Sequence, residues 1–291
     1  MGVWWSRNCY CPCCKRKDGT AMGVVKVRIT ESMLPVDKRL YTDPYADNFL
    51  IGAGIMRRMG VEKILNGWNN SLPGLFPLLT GRTRWLDDLC CNAIKNYGCE
   101  QVIILGAGYD TRAIRLPELC DIPCFEVDQP ELNKLKQYGY NCLNLSKKVL
   151  ENLHLVAIDF NKDSITKILE NPNFKKGVKS FILFEGVTQY IPISSTTRTL
   201  ENLRDLVATG SILGITYVNK AAYGSDEEIK DQICDDPETV HKLLNALPKN
   251  ESWISGWSKD GFKTYMEGKS FNIIEDVSSD DFEELYSQTI L

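Results

Sequence analysis

Three acidic residues each follow a short apolar run: Asp128 ends PCFEV, Asp159 ends LHLVAI and Glu185 ends SFILF. A lone acid at a strand end is usually a solvated loop residue. Three in succession behind a glycine-rich turn point instead to a ligand crevice, because open α/β sheets bind ligands outside the carboxyl ends of their strands. The turn is Gly106-Ala107-Gly108-Tyr109-Asp110-Thr111, directly after the run QVIIL. It carries the first two glycines of G-x-G-x-x-G, with Thr111 at the third position. That third glycine lets a helix pack close under a pyrophosphate, so its absence weakens a dinucleotide reading. Two glycines still admit a ligand without phosphates close to the backbone. Asp128 stands 20 positions after Gly108, near the spacing of a ribose-binding carboxylate. Ribose without phosphate points to S-adenosylmethionine.

The elements that must position these groups alternate along the chain. Strands are expected at 101–105, 123–127, 153–158, 180–184 and 211–218. Helices are expected near 111–116, 131–138, 164–170 and 196–207. Such alternation implies βαβ units and a parallel sheet, and the nearly uninterrupted apolar strands imply helices on both faces. Before the first strand, 21–98 reads mainly helical. Asp43-Pro44 is a helix-start signal, and Arg82–Tyr97 carries a helical apolar stripe (Trp85, Leu86, Leu89, Cys90, Ala93, Ile94) stopped by Gly98. The expected organisation is a tail (1–20) and a single domain (21–291). The domain divides into a helical N-terminal cover (21–98), a ligand-binding core (99–219), and lid-like helices with a C-terminal strand at 271–277 (220–291).

Composition narrows the class. The 291 residues are 43% hydrophobic and 25% charged with a formal charge of -4, which excludes disorder and argues against a nucleic-acid partner. No apolar stretch approaches the ~18 residues of a transmembrane helix. Eleven cysteines are the unusual feature. Seven lie in apolar-periodic context and read as reduced thiols of an intracellular protein. Four (Cys9, Cys11, Cys13, Cys14) crowd a start that matches the myristoylation pattern, with Gly2 and Ser6 in place. Palmitoylation of those cysteines, the basic run Lys15-Arg16-Lys17 and the pair Trp4-Trp5 would supply the second signal that one acyl chain needs. The expected location is the cytoplasm, with peripheral membrane association through that tail. A disordered tail and a small metal clip are the alternatives there, although C-x-C-x-C-C lacks a second ligand pair. No metal site is expected elsewhere.

The strings ILGAGYDTRAIRL, FEVDQPEL, AIDF and LFEGVTQYIP, with GRTRWLDD upstream, resemble the motifs of the leucine carboxyl methyltransferase family over roughly residues 24–285. They are closer to its bacterial-type O-methyltransferase branch. The resemblance implies a Rossmann-like class I methyltransferase fold of seven strands and S-adenosylmethionine as cofactor. Arg82 would pair with the cofactor carboxylate. Gly106, Ala107 and Gly108 would border its methionine portion. Asp128 would receive the ribose hydroxyls, and Asp159 and Phe160 would contact adenine. Glu185 would lie near the cofactor amino group and the acceptor, and Tyr190 on the acceptor side. Glu185 and Tyr190 are thus the catalytic candidates. The family also places an N-terminal basic residue near the cofactor; Arg28, Lys38 and Arg39 all qualify. The final antiparallel strand of such folds is expected to be missing or very short.

The expected activity is O-methylation of a carboxylate or hydroxyl on a small molecule or a protein C-terminus. A carboxylate needs no base, whereas a hydroxyl usually wants one. His154 lies in a strand and His241 in the lid-like segment, so neither is an obvious base. The alternatives are a non-catalytic, membrane-tethered scaffold and an NAD(P)-dependent oxidoreductase.

Overall fold

The computed structural model describes residues 19–249 and 251–286, so the N-terminal lipidation pattern lies outside the described residues. The chain opens with α1 (Gly19–Glu31), α2 (Ala53–Met59), α3 (Val61–Ser71) and the long α4 (Leu75–Lys95). Between α1 and α2, the Asp43 carboxylate accepts from the backbone N–H of Tyr45 and Ala46, each at 3.0 Å, and starts a 3-10 turn over Ala46–Phe49. The alternating part follows: β1 (Gln101–Leu105), α5 (Arg112–Arg115), β2 (Cys124–Asp128), α6 (Pro130–Asn141), α7 (Lys147–Asn152), β3 (Leu153–Ala157), β4 (Ser180–Phe184), α8 (Ile193–Leu206) and β5 (Ile212–Ile215). The segment expected as a helix near 164–170 is a 3-10 stretch, Ile165–Glu170. Beyond β5 lie α9 (Asp226–Gln232), α10 (Pro237–Ala246), α11 (Lys259–Glu267) and α12 (Ser279–Tyr286).

The strands form one parallel sheet in the order β3-β2-β1-β4-β5. The order reverses between β1 and β4, which makes a crevice where the two following turns diverge. Side chains alternate across the sheet. Ile103, Leu105, Phe125, Val127, Ile182 and Phe184 pack with Ile165, Ile168, Leu203 and Leu206 on one face. Val102, Ile104, Cys124, Phe181 and Leu183 pack with the α4 stripe Leu86, Cys90 and Ala93 on the other. Burial on both faces is what the unbroken apolar runs required. Glycine at 214 lets α4 lie close: a Cβ there would sit 3.1 Å from Leu86 Cδ2 and 3.2 Å from Leu89 Cδ2. The N-terminal cover has its own core, in which Val25 and Ile29 of α1 meet Phe49, Tyr109, Ile114 and Tyr140.

Three expectations fail. The described residues form a sheet of five strands, not the seven that the resemblance implied. Phe271–Val277 is not a strand. Phe271 and Ile273 pack onto the Trp257–Phe262 cluster while Ile274 is 79% exposed, and the Asp276 carboxylate accepts from Tyr217 Oη at 3.0 Å. Side chains hold this segment, and β5, only four residues long, offers it no ladder. Among the seven core cysteines, Cys90, Cys91, Cys99, Cys120, Cys124 and Cys234 are free thiols, but Cys142 is disulfide-bonded.

Candidate active site at the strand ends

A cavity of about 1640 Å³ opens over the carboxyl ends of the strands. Sites for one small ligand typically run to roughly 300–1,000 Å³, so this one has room for two. The nine residues given cofactor or catalytic roles from the sequence line it: Arg82, Gly106, Ala107, Gly108, Asp128, Asp159, Phe160, Glu185 and Tyr190.

The glycine turn is built for close approach. Gly106 has φ +64° and Gly108 φ +43°, a region that side-chain-bearing residues rarely enter. A Cβ on Gly106 would also lie 2.2 Å from Val187 Cγ2, in the turn that follows β4. The amides of Gly106 and Ala107 both donate to the Val127 carbonyl, at 2.8 and 3.1 Å, which ties the turn to the end of β2. Gly108 N–H donates to Asp128 Oδ2 at 2.6 Å and Gln129 N–H to Asp128 Oδ1 at 2.7 Å. Asp128 is thereby fixed at the lip of the turn with a lone pair left on each oxygen. Burial pushes its carboxyl above the usual range, against the pull of those two amides.

Thr111, at the third-glycine position, is wholly buried and serves as a polar node. Its hydroxyl donates to Asp43 Oδ2 at 2.7 Å and accepts from Arg28 Nη1 at 3.1 Å and Arg115 Nε at 3.2 Å. The helix behind it, α5, has only four residues. A pyrophosphate on this turn would therefore find no long helix N-terminus to meet it.

Arg112, only 3% exposed, organises the charge below the turn. Its Nε donates to Asp87 Oδ1 and its Nη1 to Glu185 Oε2, both at 2.7 Å, and Nη1 also reaches Asp110. Arg115 grips Asp87 with two further bonds, at 2.6 and 2.7 Å. Burial alone would raise the Asp110 carboxyl, but Arg112, Lys136 and Arg28 outweigh it and hold the group at about 2. Glu185 behaves alike: burial is outweighed by Arg112 and Arg82, so the carboxyl is held below its usual value. Arg82 Nε lies 2.7 Å from Glu185 Oε1, yet this buried nitrogen is not aligned for a hydrogen bond. Arg82 is therefore placed by charge and retains donors for an incoming anion.

The remaining candidates occupy the rim and the acceptor side. Asp159 is half-buried, accepts from Asn161 N–H at 3.0 Å and lies 3.2 Å from Lys162 Nζ. Phe160 is buried with its ring tilted onto Phe184, 5.8 Å between centroids. Tyr190 ends a 3-10 turn over Thr188–Tyr190. Of the three N-terminal basic residues, only Arg28 lines the cavity. It is held by Asp43 at 3.1 Å and by the Tyr109 carbonyl at 2.6 Å. Neither histidine lines it: His154 stacks on Phe125 at 4.9 Å, and His241 pairs with Asp226 on the surface.

One functional group is absent from the sequence reading. Lys136 is wholly buried beneath the turn, 2.9 Å from Glu126 Oε2 and 3.3 Å from the Ala107 carbonyl that its Nζ donates to. Tyr140 Oη donates to the same Glu126 carboxylate at 2.9 Å. Burial raises the Glu126 carboxyl, and Lys136 opposes that rise. The available signal was Glu126 itself, an acid inside a buried strand, which demands a buried partner.

Comparison with known proteins agrees with this architecture. The family model for leucine carboxyl methyltransferase matches residues 21–204. A candidate S-adenosyl-L-methionine-dependent methyltransferase of Mycobacterium marinum is 30% identical over 198 residues, covering 65% of this chain and 62% of that protein. Another, YktD of Bacillus subtilis, is 28% identical over 229 residues, covering 77% of this chain and 70% of that protein. The match to the first of these thus spans less than two thirds of that protein. Among solved structures, a candidate methyltransferase from Thermobifida fusca superposes with a TM-score of 0.51 at 16% identity, covering 87% of this chain and 88% of that one. At that identity the likeness speaks to the fold alone. With the family model covering more than half of its length, the chain belongs to the leucine carboxyl methyltransferase family.

Proposed function

We propose that this chain is an S-adenosylmethionine-dependent methyltransferase acting on an oxygen of its acceptor. The observation that carries the reading is the fixed Asp128 carboxylate at the lip of a two-glycine turn backed by only a four-residue helix. That arrangement suits a ribose beside a phosphate-free chain better than a dinucleotide. The names of the mycobacterial and Bacillus relatives support the methyltransferase part of the reading.

The residues present fit the cofactor. Arg82 offers unaligned donors to a carboxylate, and the positive-φ glycines Gly106 and Gly108 keep the turn bare of side chains. When bound, S-adenosylmethionine supplies an electrophilic methyl group on a sulfonium. Asp128 would receive ribose hydroxyls on its free lone pairs. Asp159 and Phe160 would border the adenine. Arg82 would pair with the amino-acid carboxylate, and Glu185, kept ionised by two guanidiniums, would face the ammonium. An acid held below its usual value is a weaker base, so its contribution is electrostatic and positional. Arg28 and Arg112 hold the turn rigid, and preorganised geometry of this kind lowers the barrier to in-line transfer. Tyr190 would stand on the acceptor side. Incubating the chain with methyl-labelled cofactor and a metabolite extract tests the activity. Label entering an ether or ester fraction supports O-methylation; label entering only amine products contradicts it.

A further inference from the structure

Three helices turn apolar faces to the cavity instead of to a core. Trp68 and Leu72 come from α3 and the residue after it, Leu75 and Leu79 from the first two turns of α4, and Leu243 and Leu247 from α10 and the residue after it. Each pair is spaced by four, which puts two side chains on one helical face. Such faces ordinarily pack into a protein interior. Here α3 buries none of its residues, α10 buries only Pro237 and Val240, and burial in α4 begins at Thr80. All six lining residues stay half-buried. Apolar surface left open to water costs about 25 cal/mol per Å², which an apolar ligand among these faces would recover.

The apolar faces lead to the charged floor. Leu75, Leu79 and Arg82 follow one another at i, i+4 and i+7 on α4, and Arg82 Nε lies 2.7 Å from Glu185 Oε1. At about 1.5 Å per residue, Leu75 stands about 10 Å along the helix from Arg82. None of the cavity-lining residues from α3, from α4 before Arg82, or from α10 is charged. A polar molecule there would exchange its water for leucine and tryptophan side chains and gain few hydrogen bonds in return. An apolar body gains by the same move, and its reactive end would reach toward Glu185 and Tyr190. The cavity, at about 1640 Å³, has room for such a body beside the cofactor.

Resting on the methyltransferase reading, we infer that the methyl acceptor carries an elongated apolar body that lies among α3, the start of α4 and α10 and leaves its reacting oxygen at the floor. The test uses the full chain saturated with S-adenosylhomocysteine and titrated calorimetrically with the straight-chain alcohols butanol, hexanol and octanol, and with butanoate, hexanoate and octanoate. Chain length should decide affinity with either head group: each two-carbon step should tighten binding about tenfold. Leu79→Asn and Leu243→Asn should each cut that step to about threefold, while binding of S-adenosylhomocysteine, the check on folding, stays as in the parent. Label transferred from methyl-labelled cofactor to a metabolite extract should pass into an organic phase. Affinity that does not rise with chain length, a parent-like step in both folded variants, or label confined to water-soluble products overturns the proposal. Failure of S-adenosylhomocysteine to bind, with the length dependence and its loss in the two variants intact, overturns the methyl-donor reading and supports the apolar site.

Discussion

The floor and the wall of the cavity are built by opposite rules. At the strand ends, charge is dense and locked: Asp87, Asp110 and Glu185 converge on Arg112, and Asp128 is fixed by two amides. In the wall, Trp68, Leu75, Leu79 and Leu243 are apolar and come from three separate helices, α3, α4 and α10. A floor of fixed charge suits a ligand whose groups never change. An apolar wall drawn from distant helices can change residue by residue without disturbing that floor. On the proposed reading, the difference teaches that cofactor binding and acceptor choice are separable in this chain.

Substitutions should divide along the same line. The largest loss is expected for Arg112→Met, which leaves three buried carboxylates short of a countercharge. Urea unfolding should show a loss of about 3–5 kcal/mol, and a loss under about 1 kcal/mol would show that the network is not a unit. Gly106→Ala comes next. It forces a positive φ on alanine and drives a Cβ into Val187, and should cost about 3 kcal/mol. Retention of parent stability would mean that the β4 turn yields freely.

Glu31, buried at the end of α1 in the cover, gives a pH-dependent contrast. Burial outweighs its bonds from the Leu40 and Tyr41 amides and raises its carboxyl to about 7. Between the ordinary value of 4.5 and 7, the folded chain holds a proton that the unfolded chain has lost. Stability therefore falls as pH rises through that window and is level above it. Glu31→Gln should remove the slope and gain on the order of 2 kcal/mol over the parent between pH 5 and pH 8. Parallel stability curves for the two would count against the raised value. The smallest effect is expected in the wall: Leu79→Ala should cost about 1 kcal/mol and leave cofactor affinity as it was. A fall in that affinity would break the separation of wall from floor.

The floor was largely legible because it follows local grammar. β1 and β4 are five-residue apolar runs stopped by a glycine and an acid, and they have the bounds read from their sequence. The expectation for β5 ran to Val218, but the ladder ends at Ile215, where Tyr217 turns to Asp276. FNIIEDV has the alternation of a strand, yet it uses that alternation to pack on Trp257 and Phe262. Lys136 was hidden because a lysine in KLKQYGYN reads as a solvated helix face, and only its relation to Glu126 in β2 buries it. Arg28 could not be told from Lys38 or Arg39 before Asp43 and Thr111 were seen to converge on it. The wall was illegible for a simpler reason. Its residues come from segments scattered between 68 and 253, joined only by tertiary packing.

The central claim is that the strand-end floor holds S-adenosylmethionine through Asp128. Calorimetric titration of the full chain and of its Asp128→Ala variant with S-adenosylhomocysteine tests it most directly. The account predicts micromolar binding to the parent and a loss of about a hundredfold or more in the variant, since a buried bond to a charged acceptor at each ribose hydroxyl disappears. Equal affinity in a variant that remains folded, or no binding to the parent, would contradict it.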